Sequence, residues 1–249
     1  MLDKRSSQLE IIDNLSFSDP LLISNLNEME KINRWLGYHR VMLKGISKIY
    51  NQFRLDLNNS NMVLADIGCG SADALRVIHQ WMKKRHFQCE LIGIDANEFV
   101  LRHAKTQCAG YQIKFEQKNV LAEIKDGQYD LIILNHFCHH LKDEELVDLL
   151  KSLICQTRFA IIINDLHRHI LAYWGIKALA KIFNFSKLTK HDGPLSVLRG
   201  FRKNELNSLL IKAGIDSFEI KWHWPFRWQI VIWNHYSQER MHGQQTRLE

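Results

Sequence analysis

No stretch of this 249-residue chain is apolar for long enough to span a bilayer, and its opening MLDKRSSQLEIIDN lacks the continuous apolar core of a leader. The expectation is a cytoplasmic protein without a transmembrane segment. Cysteine is sparse: Cys69, Cys89, Cys108, Cys138 and Cys155 are scattered without a CxxC pair, which argues against a disulfide framework and fits a reducing compartment. Internal repeats and low-complexity tracts are absent as well. Although the net charge is +6 and the pI about 9.0, only Lys83-Lys84-Arg85-His86 forms a basic run. That run falls at the end of an expected helix, where cations suit the helix dipole, so no dedicated nucleic-acid site is expected.

What is present is an alternation. Apolar residues recur at helical spacing from Leu21 through Tyr50, predicting two helices ahead of the core. Strands are then expected at 62–66, 90–94, 112–117, 129–134 and 158–164, with helices at 72–84, 97–108 and 143–154 between them. Such alternation implies an α/β fold with a mostly parallel sheet and right-handed crossovers. Ile170 to Phe185 reads as an aromatic, apolar helix, followed by a polar loop at Lys187 to Pro194 and a helix from Phe201 to Ala213. Phe218 to Trp233 reads as two antiparallel strands turning at Trp224-Pro225-Phe226. Within it Trp222, Trp224, Phe226, Trp228, Ile230 and Ile232 recur with period two, as on one packed face.

The most informative stretch is VLADIGCGSADAL, Val63 to Leu75. A buried strand runs into Gly68 and Gly70 and then a helix, the junction at which α/β proteins hold nucleotide-like ligands. A second apolar run ends in Asp95, 25 residues beyond Gly70, where an acid is needed for a ribose diol. The Gly-Lys-Ser/Thr ending of a nucleotide triphosphate loop is missing, and Asp73 stands where a dinucleotide fingerprint has its third glycine. A carboxylate there repels two phosphates but tolerates an ammonium and a sulfonium, the charges of S-adenosylmethionine.

Asp66-Ile67-Gly68-Cys69-Gly70, Asp95 and the strand end at Asn135 within YDLIILNHFCHHL resemble the class I S-adenosylmethionine-dependent methyltransferases. The resemblance spans roughly residues 30 to 233 and implies a seven-stranded, mostly parallel Rossmann-like sheet with an antiparallel terminal hairpin. Around it are expected a helical N-terminal cap (1–58), a methyltransferase domain (59–236) with a helical insert after strand 5 (168–200) as substrate lid, and a tail (237–249). It also implies that Asn119 and Val120 hold the adenine, that Ala96 and His136 join the cofactor site beside Asp95 and Asn135, and that S-adenosylhomocysteine is the product. Ala72 stands as the third small residue of the first motif, where the family often has glycine, and Asn119 replaces a commoner aspartate. NRWLGYHR, NDLHRHILAY and HDGPLSVLRGF are similar to a narrower bacterial set encoded beside type III polyketide synthases. That likeness implies secondary metabolism, a phenolic or polyketide-derived acceptor, and Arg34 closing over the methionine end of the cofactor.

Methyl transfer is an in-line displacement, so side chains chiefly align the partners and remove a proton. For a phenol-like oxygen a histidine is the natural base. His167 is the first choice, because Asn164 to His169 crowd polar groups at the end of the fifth strand. His139 stays open between base and packing, and His140 reads as packing. His191, paired with Asp192, is a third candidate, and Arg199 either anchors an acceptor carboxylate or phosphate or is a surface residue. Tyr173 and Trp174 on the aromatic helix are expected to touch an apolar acceptor. A metal on His136, His139 and His140 lacks the glutamate of HExxH, and none is expected.

The resulting expectation is methylation of oxygen, less readily carbon, of an aromatic, polyketide-derived or quinone-like small molecule by a monomer or homodimer. Rival readings are a nucleic-acid or protein methyltransferase and a non-catalytic cofactor-binding partner. Against the nucleic-acid reading, Asn135 is followed by His136-Phe137-Cys138 and no cysteine follows a proline. Leu248-Glu249 resembles a cloning remnant, and the tail after Tyr236 is left out of the functional reading.

Overall fold

In the computed structural model, residues 2–58, 62–123 and 129–234 are described. The tail at 237–249 lies outside them. Helices α1 (Pro20–Trp35) and α2 (Tyr38–Asn58) lead into β1 (Met62–Ile67), α3 (Asp73–Lys83), β2 (Cys89–Asp95), α4 (Glu98–Gln107), β3 (Ile113–Gln117) and a single turn α5 (Val120–Glu123). There follow β4 (Tyr129–Asn135), α6 (Asp143–Gln156), β5 (Thr157–Leu166), α7 (Ile170–Ile182), α8 (Lys187–Arg199), α9 (Lys203–Lys212), β6 (Phe218–His223) and β7 (Arg227–Trp233).

The sheet runs β3-β2-β1-β4-β5-β7-β6, with β1 to β5 parallel and β7 antiparallel to both β5 and β6. This is the expected seven-stranded sheet with its terminal hairpin. Chain order reverses between β1 and β4, and the crevice at their carboxyl ends is where ligands of open α/β sheets bind. Both faces are covered, so strands are apolar at successive positions. In β4, Ile132 and Leu134 pack with α6 and α9, whereas Leu131 and Ile133 pack with α2 and α3. Each such side chain contributes about 1.5–3 kcal/mol of burial.

Helix starts follow local chemistry. Asp19 caps α1 by accepting from Leu21 N–H, with Pro20 in the first turn, and Asn97 caps α4 by accepting from Phe99 and Val100. Two expectations are corrected. Lys187 to Pro194 is not a loop but the larger part of α8, which Ser186 caps by accepting from Thr189 N–H. Gly193 and Pro194 read as a turn, yet both are buried with Leu188, Thr189, Asp192 and Leu195, and packing overrides their poor helix propensity. In the hairpin, Trp228, Ile230 and Ile232 are buried as the period-two pattern implies, but Trp222 and Trp224 are 44% and 71% exposed. The reason is position: β6 is the edge strand and Trp224 lies in the turn beyond it. Among the described residues no helix is long and apolar enough to cross a membrane.

Candidate functional site

At the end of β1 the chain turns through Gly68 (φ +70°) and Gly70 (φ +54°). Gly68 and Cys69 donate their N–H groups to Ile94 O at 2.8 and 3.0 Å, tying the turn to β2. A Cβ on Gly68 would stand 2.3 Å from the Phe137 ring, so only glycine fits. Asp95 accepts from Gly70 N–H (3.1 Å) and Asn97 N–H (3.0 Å), which fixes its carboxylate beside the turn. Asp66 accepts from Asn135 Nδ2 at 3.3 Å, joining β1 to β4.

Three acids meet here without a lysine or arginine within 4 Å among the described residues. Burial, and then the neighbouring Asp73, push the Asp66 carboxyl well above its usual range. Burial lifts Asp95 as well, only partly offset by its backbone donors. For Asp73 burial also pulls upward, but the hydrogen bond (2.9 Å) and charge of His39, with the hydrogen bonds from Asn33 and the Ala74 N–H, together outweigh it and hold the carboxyl below its usual value. A wall of this charge suits a cationic ligand.

Across the same cavity, of about 1060 Å³, lies a second group of polar side chains. The turn Cys138–His140 after β4 presents His139, whose Nδ1–H donates to Asp165 Oδ1 at 2.7 Å and whose backbone N–H donates to Asp165 Oδ2 at 3.1 Å. Burial resists ionisation of Asp165, but His139 outweighs it and holds the carboxyl far below its usual range. The other ring nitrogen, Nε2, sits 3.7 Å from Glu10 Oε1 on the N-terminal segment. Arg227, at the start of β7, donates from Nη1 to His136 Nε2 at 2.6 Å, and its guanidinium lies 5.1 Å from the Tyr38 ring.

The N-terminal segment is strapped over this half of the cavity. Ile11 and Ile12 donate their N–H groups to Asp192, Glu10 Oε2 accepts from Ser196, and Asp13 meets His140 and Arg199. Burial pushes the Glu10 carboxyl to about 7, against the pull of His140, Ser196 and Arg199. A carboxyl raised from 4.5 to about 7 stabilises the folded state fully below pH 4.5, and the contribution is lost as pH rises through 7. The stability of the native protein relative to Glu10→Gln is therefore expected to fall by roughly 3 kcal/mol between pH 4.5 and 8 in denaturant titrations. A pH-independent difference would show that Glu10 is not buried in this way.

Of the residues expected at a site, Asp66, Gly68, Cys69, Gly70, Asp95 and Ala96 line the cavity on the β1–β2 side. Asn119, Val120, Asn135 and His136 line it along its floor, with His139 and Arg199 at the other half. Five candidates do not line it. Arg34 is exposed at the end of α1, and Asn33 and Tyr38 on either side of it face the cavity instead. His167 points to the hairpin, where its Nδ1 accepts from Trp222 Nε1 at 3.1 Å and its ring packs on Trp228. This follows from β5 running on to Leu166, in register with Arg227. His191 pairs with Asp192 at 2.6 Å as expected, but on the outer side of α8. Tyr173 and Trp174 turn away, while their neighbours Leu171, Ala172, Gly175 and Ile176 line the cavity.

Arg199 is no surface residue, and four of its five N–H donors are taken. Nε donates to His139 O, Nη1 to Gln8 O and Asp13, and Nη2 to His140 O. Glu10 and Arg227 carry no signal in the sequence, since each stands alone outside any motif, whereas Tyr38 lies within NRWLGYHR, where Arg34 is the residue singled out. Glu10, His139 and His140 bring ligand-type atoms within 4.8 Å of one another, as do His136, His139 and Asp165. Both Asp165 oxygens are already taken, however, and a cation at either group would face the guanidinium of Arg199 or Arg227.

A family model described as a methyltransferase domain matches residues 58–195, more than half of the chain. The chain belongs to this methyltransferase family. No curated protein matches it. Among solved structures it is similar to the plantazolicin methyltransferase BpumL in complex with S-adenosylhomocysteine, at 17% identity and a TM-score of 0.62 over 90% of this chain and 94% of that one. The plantazolicin methyltransferase BamL, also crystallised with S-adenosylhomocysteine, is similar over 85% and 90% of the two chains, at 16% identity and a TM-score of 0.62. Magnesium protoporphyrin IX methyltransferase from Synechocystis PCC 6803 is similar over 82% and 87%, at 14% identity and a TM-score of 0.53. The expected enzyme class, an S-adenosylmethionine-dependent methyltransferase, and the expected sheet agree with these findings. The residues present fit that cofactor: a glycine turn that a Cβ would fill, and buried acids without cations to face an ammonium and a sulfonium.

Proposed function

We propose that this methyltransferase transfers a methyl group from S-adenosylmethionine to an oxygen of an aromatic, polyketide-derived or quinone-like small molecule. The observation that carries the proposal is the continuity of one cavity, acidic at the β1–β2 end and apolar with imidazoles at the other. Asp95 would hold the ribose diol, Asp66 and the Gly68 turn the amino-acid end, and Asn119 and Val120 the adenine. The bound cofactor supplies an electrophilic methyl carbon.

The remaining work falls to the chain. Leu171, Ile176 and Leu179 of the insert at 168–200, with Met29 of α1, would wall the acceptor half with apolar surface, which selects a ring or alkyl chain and excludes water. His139, held by Asp165 in the tautomer with Nδ1 protonated, accepts the hydroxyl proton at Nε2.

Calorimetry with S-adenosylmethionine tests the donor. Saturable binding is expected, weakened on the order of 10- to 100-fold in Asp95→Ala through loss of charge-assisted hydrogen bonds. Because Asp66 is pushed up by burial and ionises against the ligand ammonium, binding should release a proton. The affinity then rises with pH, and the heat changes with the buffer. Absence of any binding heat would sink the enzyme reading. Incubation with labelled donor and a panel of phenols, quinones, fatty acids and RNA tests the acceptor, and label in RNA alone would overturn the small-molecule reading.

A further inference from the structure

Arg227 is 2% exposed, yet among the described residues no carboxylate lies within 4 Å of its guanidinium. The buried acid whose charge reaches it, Asp165, spends both oxygens on His139 and on the Leu166 N–H. Burying a charge without a counter-ion costs several kcal/mol. Burial does draw Arg227 down to about 10, which still leaves it charged near neutrality.

Its immediate neighbours satisfy the guanidinium only in part. Nη1 is matched by His136 Nε2, while Nε is a buried donor with no partner. Tyr38, 1% exposed, lies against both Arg227 and His136 and carries a hydroxyl that is also without a partner. Burial keeps that hydroxyl protonated and, together with Arg227, keeps His136 neutral. Both Arg227 and Tyr38 line the cavity.

The geometry points to Arg227, with Tyr38 and His136, as a subsite that takes an anionic oxygen of the acceptor, a carboxylate or an ionised enol, separate from the oxygen that reacts at His139. The His136 and His139 rings are 6.3 Å apart, so the two oxygens belong on one small ring system. The acceptor is thereby an acid bearing a hydroxyl rather than a neutral phenol. This deepens the methyltransferase reading above and rests on it.

A competing source of the same charge is the carboxylate of the donor. Against it, Arg227 is the first residue of β7, which is separated from β4 by β5, whereas Asp66 and Asp95 end β1 and β2, the glycine turn follows β1 and Asp73 opens α3. The guanidinium thus approaches from the acceptor end.

Calorimetric titration of 3-hydroxybenzoate and 3-hydroxybenzamide, with and without S-adenosylhomocysteine, separates these cases. The native protein is expected to prefer the benzoate by tenfold or more, as a charge-assisted hydrogen bond implies, with the preference lost in Arg227→Met and weakened in Tyr38→Phe. S-adenosylhomocysteine binding stays unchanged in both variants. Equal affinity for the two probes, or no affinity for either, in the native protein overturns the subsite whether or not the variants fold. Loss of S-adenosylhomocysteine by Arg227→Met assigns the arginine to the donor and overturns it too. A native protein that binds no S-adenosylhomocysteine removes the methyltransferase reading instead, while the probe comparison without cofactor still decides whether an anion is taken.

Discussion

Asp165→Asn is expected to lower kcat for a hydroxylated aromatic acceptor on the order of 100- to 10,000-fold, the span of general-base catalysis, with S-adenosylhomocysteine affinity intact. The carboxylate accepts from His139 Nδ1–H at 2.7 Å, so the proton of the ring is fixed on Nδ1 and the lone pair on Nε2. An asparagine amide can donate to Nδ1 instead, which moves the proton to Nε2, the atom required as acceptor. His139→Gln should lose as much, and the double variant no more, because the two residues act as one unit. Long-range nitrogen–proton NMR reads the tautomer directly, and its switch in Asp165→Asn with the fold retained distinguishes lost orientation from lost structure. Held far below its usual range by His139, Asp165 is ionised wherever the enzyme works, so the decline of rate at low pH must come from other groups. Its linkage to stability has the opposite sign from that of Glu10: present above the ordinary aspartate value and lost on further acidification. Unchanged kcat in both single variants would remove His139 as the base.

How much of this was legible in the sequence follows from the range of the forces involved. The sheet could be read because its strands are covered on both faces and therefore apolar at successive positions, as in Leu131 to Leu134. The glycine turn and Asp95 could be read because a ligand beside a backbone restricts residue types over a few positions. α8 could not, since the burial of Gly193, against Ile176 of α7, and of Pro194 is a tertiary effect opposed to their local preference. The histidines show the same limit. His139 and His167 both follow a strand at its carboxyl end, and only the pairing of Leu166 with Arg227 decides that one ring faces the cavity and the other the hairpin. Glu10 and Arg227 join the site from opposite ends of the chain, so no spacing within a motif announces them.

The second large effect is expected at Arg199, where Arg199→Met should cost about 3–5 kcal/mol of stability, the usual loss on breaking a buried ionic network from one side. In a chain of this length that lowers Tm on the order of 10 °C. Four of its five N–H donors are committed, to the carbonyls of Gln8, His139 and His140 and to Asp13, at 2.5 to 2.9 Å. Arg5 backs it up only in part, reaching His139 O at 3.2 Å and Leu141 O at 2.9 Å. Methionine keeps the volume and leaves the Gln8 and His140 carbonyls without their donors, so the segment around Glu10 and the turn carrying His139 lose their common tie. Arg199→Lys should recover little, because one ammonium cannot span carbonyls that a planar fork reaches on several sides. An arginine that instead bound an acceptor carboxylate would give the reverse pattern: KM raised, Tm kept, and partial rescue by lysine. Thermal unfolding and steady-state kinetics on the two variants separate a strut beneath the base from an anchor for the acceptor.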